Sequence, residues 1–451
     1  MTVQLLALAI FVGVFAVSAW RNAHLGVLMF AAACGVGLGM ASMPIDDIID
    51  GFPVGILVLL VGVTYFFGIA HANGTIDRII EVTLAKVGHR TVLLPLVFFL
   101  LTAGISAMGS PLGGLVMAPI GMMVADKRAI DPMLMALSIG TGLSAGAFAP
   151  TSLFGIVTYG TAHQAGIDLN PFVLFVVALM VNLVLLMAAY VLFGGLKLLR
   201  RNAVAAPAVS LPAEDRLVTV GGGGRRESPR GGMSSPDLSS GPERIPFTPN
   251  QIATVIAMVG LIAAVIGMSL AGMDPDIGVL AFALGAVLTL VDPRSGNQAI
   301  PRIDWSTVLL VGGIITFVGV LDKLGAVDLL GEFAGHIGVP LLAALFICLV
   351  AGLVSAFAST TGMLAALVPL ALPLVAAGGI PGWALMCALG VCASIVDVSP
   401  FSTVGATLVA TTVDEAQRPR MTRLLMRWGL SMVVIGPVLL VGTLVLPGAV
   451  L

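Results

Sequence analysis

Charge is what this chain has least of. Its 451 residues include 21 Lys and Arg and 23 Asp and Glu, so 10% are charged, against roughly 25% in soluble domains. With 58% hydrophobic residues, that scarcity excludes an ordinary water-soluble fold and makes the bilayer the solvent. Cysteine is nearly as scarce: Cys34, Cys348, Cys387 and Cys392 all sit inside apolar runs. Cys387 and Cys392 are spaced wrongly for a zinc knuckle and no His pair accompanies them, so they read as core thiols. Buried catalytic chemistry is missing too. An intramembrane enzyme needs a nucleophile with its base, or two aspartates at depth, and the broken apolar segments described below hold one Asp with no nearby His. No enzymatic activity and no cofactor are expected. The net charge of −2 selects no partner, and no nucleic acid is expected to bind.

What the chain has is length of apolar sequence. Runs near 20 residues are enough to cross about 30 Å of hydrocarbon, and they recur at Val3–Trp20, Val54–Gly68, Phe172–Phe193, Ile252–Leu270 and Leu424–Leu446. The first lacks a basic n-region and a small-residue cleavage site, so it reads as a spanning helix and not a signal peptide. The fold class expected is an all-α polytopic membrane protein.

Much of the sequence occurs twice. Pro150-Thr151-Ser152-Leu153-Phe154-Gly155 returns as Pro400-Phe401-Ser402-Thr403-Val404-Gly405, and the same offset carries Pro119 onto Pro369 and Ser144 onto Ser394. One residue further, Phe66, Gly68, Gly74, Asp77 and Glu81 map onto Phe317, Gly319, Gly325, Asp328 and Glu332. Gly26-Val27-Leu28 with Phe30 recurs as Gly278-Val279-Leu280 with Phe282. Duplicated halves in so apolar a chain are the mark of a secondary transporter, with substrate held where the repeats meet. We therefore divide the chain into a first repeat at 1–200, a linker at 201–249 and a second repeat at 250–451.

The basic residues set the topology. With ten spans and two hairpins that enter and leave on one side, 20 of the 21 Lys and Arg fall on one face, and only Lys323 lies outside it. By the positive-inside rule that face is the cytoplasm. Both termini then lie outside, and the odd number of spans per half makes the second repeat the inverted image of the first. The linker, with Gly221–Gly224 and the Ser, Pro and Gly that follow, cannot bury enough apolar surface to fold and reads as a cytoplasmic tether. Thr75–Gly88 and Ala326–Ile337 alternate charged and apolar residues at helical spacing, which suits amphipathic helices lying in the interface.

Each half has two apolar segments interrupted by small and polar residues. They are Ser106–Gly114 and Thr141–Ser152 in the first half, Ser355–Gly362 and Ser394–Thr403 in the second. Loose backbone at membrane depth is tolerated only when buried or lining a cavity. Flanking runs of about 14 residues are too short to span alone, so we read re-entrant hairpins near 92–124 and 340–377 and broken helices near 132–163 and 381–413. After each break a half-helix begins, near Pro111, Thr151, Thr361 and Ser402. Their N-termini offer unpaired N–H groups and about half a positive charge each. Hydroxyls at Ser110, Thr151, Ser152, Ser359, Thr360, Thr361, Ser402 and Thr403 add donors, so the breaks can hold a carboxylate without the buried Arg or Lys that these segments lack. The helix ends before the breaks present carbonyls suited to a hard monovalent cation such as Na⁺. Ser106, Ser144, Ser355, Ser394 and Asp397 are the candidate ion-coupling residues there. Asp397 is the one acid in the breaks, opposite Ala147 of the first repeat. It is a functional candidate by position, for a proton or a cation, and equally a candidate helix cap. His71 and His163 lie near span ends and read as interfacial.

At these residues the chain resembles a known family. Leu57–Gly74, Met117-Ala118-Pro119-Ile120-Gly121-Met122 and Asp397-Val398-Ser399-Pro400-Phe401-Ser402-Thr403 look like the malonate/dicarboxylate carriers of the MatC type, within the ion transporter superfamily that includes the divalent anion/sodium symporters. The resemblance covers both halves. It implies homodimers in the bacterial cytoplasmic membrane, a scaffold domain that holds the dimer, and a transport domain that moves like an elevator. It also implies dicarboxylates bound at two hairpin tips. The tip motif of the divalent anion/sodium symporters is Ser-Asn-Thr. Here the tips read Gly109-Ser110-Pro111 and Ser359-Thr360-Thr361, without either asparagine. Ser359 and Thr361 match the motif, while Ser110 and Thr360 occupy the asparagine positions.

The function expected is symport of small carboxylates, malonate or C4-dicarboxylates foremost, coupled to Na⁺ or H⁺ by alternating access. Two other readings of the sequence stand beside it: the membrane subunit of a binding-protein-dependent carboxylate carrier, and a cation/proton antiporter of the same superfamily.

Overall fold

A computed structural model gives the fold. It describes residues 2–21, 23–86, 91–109, 111–195, 198, 246–270, 276–326, 329, 340–356, 360–376 and 379–447. Ser110, Ser359, most of the 201–249 linker and most of Ala326–Ile337, singled out above, lie outside the described residues. Among the described residues the protein is all-helical, without a strand. Among the described residues four helices are long and apolar enough to cross a membrane by themselves: Val54–Ala72, Pro171–Leu192, Trp305–Lys323 and the continuous stretch Glu415–Val445. Shorter apolar helices accompany them, and the chain is a polytopic membrane protein.

In order, the first half contains α1 (Thr2–Arg21), α2 (Leu25–Gly39), α3 (Ile45–Ile49), α4 (Val54–Ala72) and α5 (Thr75–Lys86). It continues with α6 (Leu94–Ala107), a 3₁₀ segment Pro111–Val116, α7 (Met117–Lys127), α8 (Pro132–Ala147), α9 (Leu153–Gln164) and α10 (Pro171–Leu192). The second half contains α11 (Pro249–Leu270), α12 (Ile277–Val291), α13 (Pro293–Ala299), α14 (Trp305–Lys323), α15 (Pro340–Ser355), α16 (Thr360–Leu370), α17 (Leu372–Ala376), α18 (Gly382–Ile395), α19 (Thr403–Ala410) and α20 (Arg418–Leu440).

Helix starts follow local chemistry. Asp131 accepts from Met133 N–H at 2.8 Å ahead of Pro132. Asn170 accepts from Phe172 N–H at 2.9 Å ahead of Pro171, and Asp304 accepts from both the N–H and the hydroxyl of Thr307. In each case the cap oxygen satisfies a donor that the first helical turn leaves unpaired, and proline gives up only an N–H that would be orphaned anyway. Asp292 begins α13 in the same way, and the Ser295 hydroxyl bound to its carboxylate lowers its pKa below the ordinary range.

Two helix pairs cross at glycine. A Cβ on Gly26 of α2 would strike the Leu309 carbonyl oxygen of α14, and one on Gly313 would strike the Gly26 carbonyl oxygen. A Cβ on Gly278 of α12 would lie 2.6 Å from Leu59 Cα in α4, and one on Gly62 would lie 2.5 Å from the Gly278 carbonyl oxygen. Only bare backbone allows such approach, the means by which membrane helices gain contact without a hydrophobic drive. α4 also packs on α13. A second group of helices forms around α8, which packs on α6 and α10, and α18, which packs on α15 and α20. α8 and α18 are buried almost throughout. The two groups meet where α9 lies on α4 and α16 lies on α14.

Candidate functional site

Each interruption in the apolar sequence is an interruption in a helix. α8 stops at Ala147 and α9 starts at Leu153; α18 stops at Ile395 and α19 starts at Thr403. α6 stops at Ala107, and α7 follows only after the 3₁₀ segment; α15 stops at Ser355 and α16 starts at Thr360. Gly109 takes φ +96°, a left-handed backbone that glycine enters without cost, and a Cβ there would also press on the Phe67 ring at 3.1 Å.

The first pair of breaks is tied together by hydroxyls. Thr151 donates to the Ala107 carbonyl at 2.7 Å and Ser152 donates to the Ser106 carbonyl at 2.7 Å. The loop that opens α9 is thereby fixed to the last turn of α6. Ser106 and Ser152 are fully buried. Pro111 opens the 3₁₀ segment beside them.

The second pair is tied through Asp397. Its carboxylate accepts from the Thr360 hydroxyl at the start of α16, and Thr360 lies 2.8 Å from the Ser355 hydroxyl at the end of α15. The Ser402 hydroxyl donates to the Asp397 carbonyl and accepts from Gly405 N–H at 3.1 Å. The helix cap of α19 is therefore Ser402, and the Asp397 carboxylate reaches across to the other break. Asp397 is 7% exposed. The ion pairs among the described residues, Arg78–Glu81, Lys323–Asp47, Arg418–Glu415 and Arg420–Asp131, all lie elsewhere. An ionised carboxylate buried without a counter-charge costs several kcal/mol. The ionised form of Asp397 is therefore disfavoured where it lies.

Ser144 and Ser394 meet. Their hydroxyl oxygens are 2.7 Å apart across the contact of α8 and α18. Asn182 of α10 donates to Ser144 at 3.2 Å and to the Ala178 carbonyl at 2.9 Å, and its Oδ1 is buried without a partner. Sequence reading passed over Asn182. The signal was there, since it is the one amide in the apolar helix Pro171–Leu192, where a polar side chain at depth is a candidate by default.

In this state the hydroxyl hydrogens of Thr151, Ser152, Thr360 and Ser402 serve protein oxygens. The N-terminal turns of α9, α16 and α19 begin beside these hydroxyls, and in α19 the Gly405 N–H is already held by Ser402. Thr361 is half-buried at the start of α16 and Thr403 is exposed at the start of α19. His71 and His163 stand in the last turns of α4 and α9. A crevice of about 520 Å³ runs between α14 and α9 and is lined by Asp50, Thr161, Gln164, Gly319, Asp322 and Leu372. An apolar groove of about 400 Å³ lies between α6 and α10 along Leu96, Leu186 and Tyr190. Neither reaches the breaks.

Residues 1–147 match the family model described as Dicarboxylate carrier protein MatC N-terminus. The matched part runs from α1 to the end of α8 and so includes α6, the 3₁₀ segment and α7. No curated protein matches the chain.

Proposed function

We infer that this membrane protein, whose first 147 residues are of the MatC dicarboxylate-carrier type, is a secondary transporter of small dicarboxylates, malonate or a C4 acid, driven by Na⁺ or H⁺. The observation that carries the reading is Asp397, a buried carboxylate with no counter-charge among the described residues, joined through Thr360 to the start of α16 and through its own carbonyl to the cap of α19. An anion drawn to those two helix N-termini meets the Asp397 charge unless a cation or proton has neutralised it. Binding of the coupling ion therefore favours binding of the acid, and by linkage the reverse holds equally. Ser355, beside Thr360, and Ser106, beside the first break, complete the polar lining; Ser144 and Ser394 hold α8 and α18 together.

The repeat reading has its own support. Gly26 lies against Leu309 as Gly278 lies against Val58 and Leu59, and Ser144 bonds its own repeat counterpart. A residue that touches its counterpart lies near the axis relating two halves, as an inverted repeat requires. On that basis we assign α1, α2, α4, α11, α12 and α14 to a scaffold that forms the homodimer. The hairpins, the broken helices, α10 and α20 form the moving body of an elevator. The charge distribution puts the linker in the cytoplasm and both termini outside, and the family match favours the bacterial cytoplasmic membrane.

Equilibrium binding tests the reading without transport. Malonate at ~100 times its Kd stabilises the folded state by ~2.7 kcal/mol, so it should raise the unfolding temperature of the purified chain, and more so with the coupling ion present. If neither malonate nor succinate stabilises the protein at any Na⁺ concentration or pH, the carboxylate reading fails.

A further inference from the structure

The helix that contains α20 is longer than a membrane is thick. Its continuous stretch Glu415–Val445 has 31 residues, about 46 Å at about 1.5 Å per residue, against about 30 Å of hydrocarbon. Counted back from Val445, the roughly 20 residues that fill that thickness end near Met426. Arg418, Arg420 and Arg423 then stand at headgroup level. Arg427 lies at the edge of the hydrocarbon, where its long side chain can reach back to the phosphates.

The two faces of α20 differ. Met421, Leu425, Trp428 and Met432 are buried. On the opposite side Arg423 and Arg427 are exposed. The same row continues as Leu430, Val434 and Val438, which are 42%, 55% and 55% exposed, at the three- and four-residue spacing that keeps side chains on one helix face. Two other arginines are neutralised within the protein: Arg418 pairs with Glu415 and Arg420 with Asp131, both at 3.1 Å. Arg423 and Arg427 have no carboxylate partner among the described residues. Arg423 gives its Nε–H to the Pro419 carbonyl at 3.3 Å, which leaves its terminal nitrogens unused.

The positive-inside rule explains why arginines gather at this end of α20. It does not require two of them to share one exposed face without a carboxylate, at the head of an apolar row. Like charges four residues apart on a helix repel and destabilise it, and an anion between them reverses that sign. Phosphate suits guanidinium groups best, because its oxygens match their paired N–H donors. Free phosphate would use the arginines alone. A phospholipid uses the whole row, with its phosphate at Arg423 and Arg427 and an acyl chain along Leu430, Val434 and Val438. A zwitterionic headgroup brings its own cation and leaves one arginine uncompensated; an acidic headgroup does not.

We propose that the exposed face of α20 is a binding site for a phospholipid with an acidic headgroup, held by Arg423 and Arg427. The test is equilibrium binding of chain-labelled fluorescent phosphatidylglycerol, and of phosphatidylcholine with the same chains, to the purified full chain in neutral detergent micelles. Phosphatidylglycerol should bind more tightly, and its affinity should fall as ionic strength rises. Equal binding of the two lipids, or an affinity indifferent to salt, would overturn the proposal without any variant. Displacement of the labelled lipid by inorganic phosphate at matching concentration would overturn it too, since the site would then take an anion and not a lipid. The double variant Arg423→Gln, Arg427→Gln should bind phosphatidylglycerol roughly 30-fold more weakly, about fivefold per arginine, with phosphatidylcholine binding unchanged. Both side chains are exposed, so the variant should fold, which gel filtration checks. Arg423→Lys with Arg427→Lys keeps the charge and should keep most of the affinity. Full phosphatidylglycerol affinity in the Gln variant would contradict the proposal, and loss of self-association alone would give this face to a second copy of the chain. None of these readouts involves the transported acid, so their failure and that of the carboxylate reading are separable.

Discussion

In the function proposed above, coupling turns on Asp397. Replacing it with Asn keeps an oxygen that accepts from Thr360 and removes the only ionisable group in the breaks. Asp397→Asn is therefore expected to elute like the parent on gel filtration but to lose at least about tenfold in gradient-driven accumulation, a loss of order 1.4 kcal/mol or more. Exchange of labelled for unlabelled acid should survive. Full gradient-driven accumulation in the variant would leave Asp397 a structural ligand of Thr360 only. The serine pair makes a different demand. Hydrogen bonds between membrane helices average about 0.6 kcal/mol, so Ser394→Ala should destabilise by about that amount and Ser144→Ala, which also gives up the Asn182 bond, by more. Because the 2.7 Å contact is lost once, the double variant should cost little more than Ser144→Ala alone in reversible unfolding from mixed micelles. Strict additivity would mean the hydroxyls do not act on each other.

At the scale of elements, the crossing glycines bind the two halves together. Gly278→Leu would place side-chain atoms inside the backbone of α4, with Cβ only 2.6 Å from Leu59 Cα. Overpacking of this kind costs about 1–3 kcal/mol or more, and the variant is expected to run as aggregate on gel filtration. Gly267→Leu, in α11 with nothing within 4 Å of its Cβ, is the control that should remain monodisperse.

Much of this level was legible in the chain itself. Apolar length marked three of the four helices long enough to span, Val54–Ala72, Pro171–Leu192 and Glu415–Val445, though not Trp305–Lys323. Within the apolar runs Gly frees the backbone, Pro removes a donor and Ser offers backbone groups a competing partner, which marked where helices stop. What the sequence left open is how hydroxyls at the breaks divide their bonds. Thr151 and Ser152 turn to carbonyls of α6, while Ser402 at the matching place caps its own helix. Such choices depend on which oxygen lies within about 3 Å after packing, a distance no local pattern encodes. Asn182 was legible as the one amide of its apolar helix; its contact with Ser144, 38 residues away, was not.

For the whole molecule, the account makes one chain sufficient for transport, with a single carboxylate coupling an ion gradient to movement of an acid. The direct measurement is uptake of radiolabelled malonate and succinate into proteoliposomes that contain only this protein, with Na⁺ and pH gradients imposed separately. The account requires accumulation above the external concentration under one of the two gradients, abolished when that gradient is collapsed. Equilibration that ignores both gradients, or no uptake of either acid by protein shown to be folded and inserted, would contradict it.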